Sequence, residues 1–245
     1  MIFSISWICV FNLYAQQKTY QFTRLDVRQG LSHNQVNAIF RDSTGFVWFG
    51  TMSGLNRFDG YDFTVFRNDL NDSSTLSDNY VTRIFELPEN RLWVATRNGN
   101  NIYDPDTESF LRNDQDYLST LSLPGGAVSF IKKDKEGNFW FVYQNLGGVY
   151  KYSSKEHKPV RFSQGAADGA NLDLSDVSAL DFDKQNNAWL VHRNGVVERI
   201  DHQTGRINWR GEKLKNVSGG KTEQYEIMVD GDGDCWITVH LSGTP

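Results

Sequence analysis

The ten residues Asp42-Ser-Thr-Gly-Phe-Val-Trp48-Phe-Gly-Thr51 decide the architecture, because the chain repeats their pattern five times. The second copy is Leu87-Pro-Glu-Asn-Arg-Leu-Trp93-Val-Ala-Thr96, and the third is Asp134-Lys-Glu-Gly-Asn-Phe-Trp140-Phe-Val-Tyr143. The fourth is Asp183-Lys-Gln-Asn-Asn-Ala-Trp189-Leu-Val-His192, and the last is Asp230-Gly-Asp-Gly-Asp-Cys-Trp236-Ile-Thr-Val239. Trp48, Trp93, Trp140, Trp189 and Trp236 are 45, 47, 49 and 47 residues apart and make up five of the seven tryptophans. Repetition at this period signals a fold built from equal supersecondary units.

Each unit reads as four short strands. The first is an apolar run such as Val36 to Phe40, Val81 to Phe85, Val128 to Ile131 or Val177 to Leu180. A tight turn follows, opened by Asp in most copies, with Gly or Asn three residues on to supply positive φ. The second strand carries the tryptophan. A Gly- or Asn-containing turn leads to the third strand at Gly54, Asn101, Gly148 and Gly195, and the fourth ends near Phe66, Leu111, Phe162 and Trp209. Four strands in 40 to 50 residues describe a β-propeller blade. The fold class is therefore all-β, a β-propeller of four-stranded blades, with about 4.5 blades present. The repeats fall at about 36–66, 81–111, 128–162, 177–209 and an incomplete 225–245. Residues 20–26 resemble the fourth strand at Tyr61 to Phe66 and read as an orphan closing strand. A seven-bladed ring at this period needs roughly 330 residues, so the chain reads as a fragment of such a ring.

Composition agrees and narrows the function. Aromatic residues reach 13%, which suits a pleated, half-buried surface. A net charge of -5 and 22% charged residues, with no Lys/Arg cluster, argue against nucleic-acid contact, which needs a positive footprint. Two cysteines, Cys9 and Cys235, cannot form a disulfide scaffold or a cysteine-based zinc site. Residues 1–15, MIFSISWICVFNLYA, are uncharged and mostly apolar. They are too short to span a bilayer and read as a signal peptide, although the usual basic start is missing. The mature chain, 16–245, is expected to be exported to the periplasm.

The repeat resembles the two-component regulator propeller. The likeness is carried by Gly30-Leu-Ser-His-Asn-Gln-Val36, by Asp42 to Thr51 and by Gly54-Leu-Asn-Arg-Phe-Asp-Gly60, and spans about residues 20 to 240. It weakens in the third and fourth repeats, where Tyr143 and His192 replace threonine. The resemblance implies the periplasmic N-terminal sensor region of a hybrid two-component histidine kinase that responds to carbohydrate. It also implies partners: the remaining blades and downstream domains of a parent chain, an oligosaccharide effector and a homodimer through the parent. Kinase activity would belong to the parent, so no enzyme activity is expected of this chain.

Several motifs invite chemistry. Asp230-Gly-Asp-Gly-Asp234 opens like a calcium loop, but the twelfth position is Leu241, where an EF-hand needs Glu, so a turn is the better reading. Asp201-His-Gln-Thr-Gly-Arg-Ile-Asn-Trp209 resembles the docking segment of quinoprotein propellers, yet Trp209 occurs in only one repeat. The five histidines show no paired ligand spacing, and no nucleophile elbow or phosphate loop is present. No catalytic residue, metal site or cofactor is therefore assigned. The expected ligand-binding residues are Arg97, Asn98, Gln144, Asn145, Arg193 and Asn194, in the turns between second and third strands. Their amides and guanidiniums suit hydroxyls, carboxylates or sulfates, although Asn also serves positive-φ turns for purely structural reasons. Because propellers host many activities, two alternatives remain: a propeller enzyme, such as a lyase or quinoprotein-type dehydrogenase, and a stand-alone interaction scaffold.

Overall fold

The computed structural model describes residues 22–240 apart from 146, 167–168, 174–175 and 219–223. The expected signal peptide, Cys9 and the start of the expected closing strand lie outside these residues. The first blade consists of β1 (Val36–Arg41), β2 (Val47–Thr51), β3 (Gly54–Phe58) and β4 (Phe63–Phe66). The second consists of β5 (Val81–Glu86), β6 (Leu92–Thr96), β7 (Gly99–Asp104) and β8 (Ser109–Leu111). The third contains β9 (Val128–Lys133), β10 (Phe139–Tyr143), β11 (Val149–Ser153) and β12 (Lys158–Phe162). The fourth contains β13 (Val177–Phe182), β14 (Ala188–His192), β15 (Val197–Ile200) and β16 (Ile207–Gly211). β17 (Gln224–Val229) and β18 (Cys235–His240) form a two-stranded sheet. Within each four-stranded sheet, sequential strands are antiparallel neighbours. The all-β propeller architecture read from the repeats is what the chain adopts.

Two short helices lie in the connections between blades. α1 (Asp114–Thr120) lies in the polar stretch from Asn113 to Gly126, and α2 (Lys213–Ser218) lies between the fourth and fifth blades. The Asn113 side chain accepts from the amides of Gln115 and Asp116, a side-chain N-cap that satisfies donors a helix start would otherwise leave unpaired. Tyr117 and Leu118 turn inward and give the helix a buried face. Phe22 to Leu25, within the expected closing strand, stand in no sheet of the described residues, and Phe22 is exposed.

The repeated aspartate does more than start a turn. Asp42 Oδ1 accepts from the amides of Thr44, Gly45 and Phe46, while Oδ2 accepts from Trp48 Nε1 at 2.6 Å. Trp140 donates in the same way to Asp134, Trp189 to Asp183 and Trp236 to Asp230. The carboxylate thus ties the first hairpin to the indole six residues on. Asp230, at the calcium-like motif, has its oxygens taken by Asp232, Asp234 and Trp236, which is the turn geometry. In the second blade Leu87 holds this place and packs beside Trp93 instead.

Blades stack face to face, and each interface is a separate apolar core. Trp48, Leu55 and Phe66 meet Ile84, Val94 and Tyr103; Trp93 and Ile102 meet Phe139 and Phe141; Trp140 and Val149 meet Leu180 and Leu190. Trp48, Trp93 and Trp140 are buried, while Trp189 is half-buried against Trp209. Close approach is built into the backbone. A Cβ on Gly50 would lie 2.6 Å from Val81 of the next blade, so only glycine fits.

The first strands stand side by side around the axis, joined by polar bonds. Asn37 donates to Val81 O, Arg83 to Ser129 O, Lys132 to Leu180 O, and Ser178 Oγ to Tyr225 O. The pairing of β1, β5, β9 and β13 with their second strands slips at the same place in each of the four blades, while β17 and β18 pair without a slip. The residues at the slip are Asn37, Thr82, Ser129 and Ser178. A bulge leaves one residue outside the ladder, and here three of the four groups so freed reach the neighbouring blade.

Candidate functional site

The expected binding residues occupy one rim, at the ends of the second strands. Three turns are held there by the same bond. Arg97 N donates to Tyr80 O, Gln144 N to Ala127 O, and Arg193 N to Asp176 O. In each case the acceptor precedes the first strand of the same blade. The connections between blades and the turns between second and third strands therefore share a rim, and the turns face the start of the innermost strands. The opposite rim carries the short aspartate turns.

The six side chains differ in how free they are. Arg97 is exposed and its guanidinium stacks over the Tyr80 ring at 4.0 Å. That arrangement holds the cation without consuming its donors. Asn98, Gln144 and Asn145 are also exposed. Asn145 has a φ of 53°, so the structural reading of asparagine applies there. Arg193 and Asn194 are half-buried and engaged: Arg193 Nε pairs with Asp176 at 3.2 Å, and Asn194 donates to Asp173 Oδ2 at 3.1 Å. The rim thus offers free polar groups on the second and third blades and occupied ones on the fourth, each pair fixed to its own blade.

Beneath these turns lies a polar layer that the sequence reading did not identify. In the first blade Ser32 N donates to Asn56 Oδ1, Asn56 Nδ2 donates to Ser32 Oγ, and Ser32 Oγ shares a 2.8 Å bond with Thr51 Oγ1. Ser77, Thr96 and Asn101 repeat every one of these contacts in the second blade. In the third, Tyr143 and Tyr150 fill the space as an edge-to-face pair, and Tyr143 donates to Pro124 O. In the fourth, Asp173, His192 and Glu198 take the corresponding places. His192 Nε2 and Glu198 Oε2 lie 2.7 Å apart, both side chains fully buried. The signal was in the sequence: Leu31-Ser32, Leu76-Ser77, Leu123-Pro124 and Leu172-Asp173 mark the repeat, and His192 stands at the threonine register.

This layer clamps each inter-blade connection onto its blade. Asp173 N donates to both oxygens of Glu198, and Arg210 Nε donates to Oε1 at 2.7 Å. Burial alone would raise the Glu198 carboxyl, but the bonds from His192, Arg210 and the Asp173 amide outweigh it and hold the group below its ordinary value. Glu198 is therefore an anion, and the pair is an internal clamp. With both side chains out of reach of solvent, neither can touch a substrate.

Among the described residues no group of three His, Cys, Asp or Glu side chains could hold a metal ion, and no helix is long and apolar enough to cross a membrane.

Comparison with known proteins follows this geometry. Residues 30–53 and 75–98 match the two-component regulator propeller family. A stretch of 65 residues is 38% identical to histidine kinase P4 of Formosa agariphila, covering 26% of this chain and 5% of that protein. Among solved structures, the extracellular domain assigned to the one component system BT4673 of B. thetaiotaomicron aligns with a TM-score of 0.58 and 22% identity. That alignment covers 91% of this chain and 31% of the other. The extracellular domain assigned to the hybrid two component system BT3049 of B. thetaiotaomicron aligns at 0.50 and 21% identity, over 90% of this chain and 34% of that one. A virginiamycin B lyase from Staphylococcus aureus aligns at 0.50 and 14% identity, over 83% and 62% of the two chains. These structural likenesses establish the propeller fold, and the chain spans about a third of the length of the two extracellular domains. Both family matches contain a Leu-Ser pair and the threonine of its clamp, and the second ends on Arg97 and Asn98, so these two segments, in the first and second blades, are the ones similar to two-component regulator propeller repeats.

Proposed function

We propose that this chain is a ligand-sensing propeller of a hybrid two-component sensor histidine kinase. It works outside the cytoplasm, in the periplasm, and its effector is an oligosaccharide. The observation that carries the reading is the coincidence of the matched repeats with the clamped rim. In the second blade, the residues matched to the regulator family contain the serine and threonine of the Ser77-Thr96-Asn101 clamp and end on the exposed Arg97 and Asn98.

The chemistry of the rim supports a polar, hydroxylated ligand. Arg97, Asn98, Gln144 and Asn145 supply donors and acceptors that match hydroxyls, uronates or sulfate groups. Arg193 and Asn194 act one step back by holding the connection before the fourth blade. Ligand occupancy would alter how the connections sit on their blades, and this rearrangement is the signal passed to the parent's kinase. The buried state of His192 and Glu198 favours this binding role over catalysis by this chain.

The test is a screen of neutral, uronate-bearing and sulfated oligosaccharides against the chain and against Arg97→Ala combined with Asn98→Ala. A hit that binds the parent sequence and is weakened about tenfold or more in the double variant supports the reading, since charge-assisted bonds are the strong ones. A hit of equal affinity in both would move the site off this rim.

A further inference from the structure

The junctions between blades carry an internal comparison at the strand position opposite each tryptophan. Trp48 faces Arg57 across the β2–β3 pair, Trp93 faces Ile102 across β6–β7, and Trp140 faces Lys151 across β10–β11. The turn between third and fourth strands of the next blade supplies the counterpart: Glu108, His157 and Gly205, all left-handed, with φ of 52°, 53° and 64°. At the first junction the two positions form an ion pair, with Arg57 Nη1 2.7 Å from Glu108 Oε1. At the second, cation and carboxylate are both replaced, by Ile102 and His157. At the third the cation is kept, as Lys151, and the carboxylate is gone.

Two observations mark this third junction as a site. The first is space. Lys151 and Gly205 line a cleft of about 440 Å³ between β11 and β12 of the third blade and the Thr204-Gly205 turn of the fourth, within the range of small-molecule sites. A Cβ on Gly205 would meet no atom within 4 Å, so the place that Glu108 fills at the first junction is open here.

The second is charge. Lys155 and Lys158 also line the cleft, both are exposed, and among the described residues neither has a carboxylate partner. Lys151 lies 5.5 Å over the Trp140 ring and 3.8 Å from Asp134 Oδ2, an oxygen that already accepts from Asn138 and Trp140. Of the two carboxylates on the wall, Glu136 is turned to His202 Nε2 at 3.1 Å, and Glu156 is exposed on the same turn as Lys155. Ammonium groups gathered around one space repel each other unless an anion lies among them. As compact point charges they suit a tetrahedral oxyanion, whereas planar, bidentate recognition is the province of arginine.

We propose that this cleft binds a tetrahedral oxyanion, the sulfate or phosphate ester of a small ligand, in the space that the missing carboxylate leaves beside Lys151, Lys155 and Lys158. Val160, 54% exposed on the cleft wall, offers an apolar patch to the ligand's carbon body. The cleft lies beside the aspartate turn at Asp134, on the rim away from Arg97, and does not rest on the oligosaccharide reading of that other rim.

Calorimetric titration of the chain with glucose 6-sulfate, glucose 6-phosphate and glucose is the test, and the two esters separate the sources of the oxyanion. At least one ester is expected to bind about tenfold or more tightly than glucose, with an affinity that falls as salt is added. Gly205→Glu rebuilds the carboxylate of the first junction at a φ that Glu108 already adopts. It should weaken the ester about tenfold or more, the scale of an interaction with a charged group. Gly205→Asn, neutral and tolerant of left-handed φ, should keep the affinity. Lys155→Gln combined with Lys158→Gln should lower it about tenfold, while Arg97→Ala combined with Asn98→Ala leaves it unchanged. Glucose binding as tightly as both esters overturns the proposal, as does no ester binding below about 10 mM. So does an ester affinity unchanged in Gly205→Glu or in the lysine double variant, or a loss as large in Gly205→Asn or in the rim variant.

Discussion

Asp134→Ala measures what the repeated aspartate contributes where it is buried. In the third blade Oδ1 accepts from the amides of Glu136 and Asn138, and Oδ2 accepts from Trp140 Nε1 and from Asn138 Nδ2. The Asp134 side chain is 1% exposed, and Asn138 and Trp140 are buried. Removing the carboxylate leaves at least the Asn138 amide and the Trp140 indole N–H unpaired away from water. At roughly 1 to 3 kcal/mol for each orphaned donor, the loss should be about 2 to 6 kcal/mol. Asp230 makes the same backbone and indole bonds in the fifth blade, without the side-chain amide that Asn138 supplies, and its turn and Trp236 are exposed, so water can replace the carboxylate and Asp230→Ala should cost little. Urea denaturation followed by near-UV circular dichroism reads both, with stability taken from the midpoint and slope. Equal losses in the two variants would refute the argument, since the motif would then act through local turn propensity alone.

Trp93→Ala should cost roughly 3 to 5 kcal/mol, because it opens a void between the second and third blades; a loss below about 1 kcal/mol in the same denaturation assay would place the indole outside the core. Stability should also depend on pH through Glu198. Its folded-state value lies below the unfolded one, so its contribution is present above the ordinary carboxyl range and fades as pH falls through the folded value. Glu198→Gln should flatten that part of the acid-melting curve, and an unchanged curve would remove Glu198 from the acid response. Arg193→Ala breaks a partly exposed pair with Asp176, so it should lower stability by less than about 1 kcal/mol while loosening the connection before the fourth blade, seen as faster amide exchange at Asp176.

Much of the fold was legible because its signals are local. The tryptophan spacing, the turn chemistry at Asp42 to Gly45 and the apolar runs at Val36 or Val81 each report a blade without knowledge of its neighbours. What escaped was non-local. Ser32 and Asn56 are 24 residues apart and meet only because the connection folds back over its blade. His192 and Glu198 read as two scattered titratable residues until the strand pairing sets Leu190 opposite Glu198 and brings them together. α1 was missed because its seven residues are polar apart from Tyr117 and Leu118, so the stretch shows no strong helical periodicity. Of the candidate site, the sequence located the rim through turn placement but could not distinguish exposed Arg97 from engaged Arg193. That difference depends on Asp176 reaching across from the preceding connection.

Hydrogen-exchange mass spectrometry of the chain with and without an oligosaccharide hit tests the central claim most directly, because it reports every blade at once. The account predicts slowed exchange in peptides that contain Arg97–Asn98 and Gln144–Asn145, with a smaller effect at Arg193–Asn194 and at the connections tied to them. Slowed exchange confined to the aspartate turns at Asp42 and Asp134, or none in any blade at saturating ligand, would contradict it.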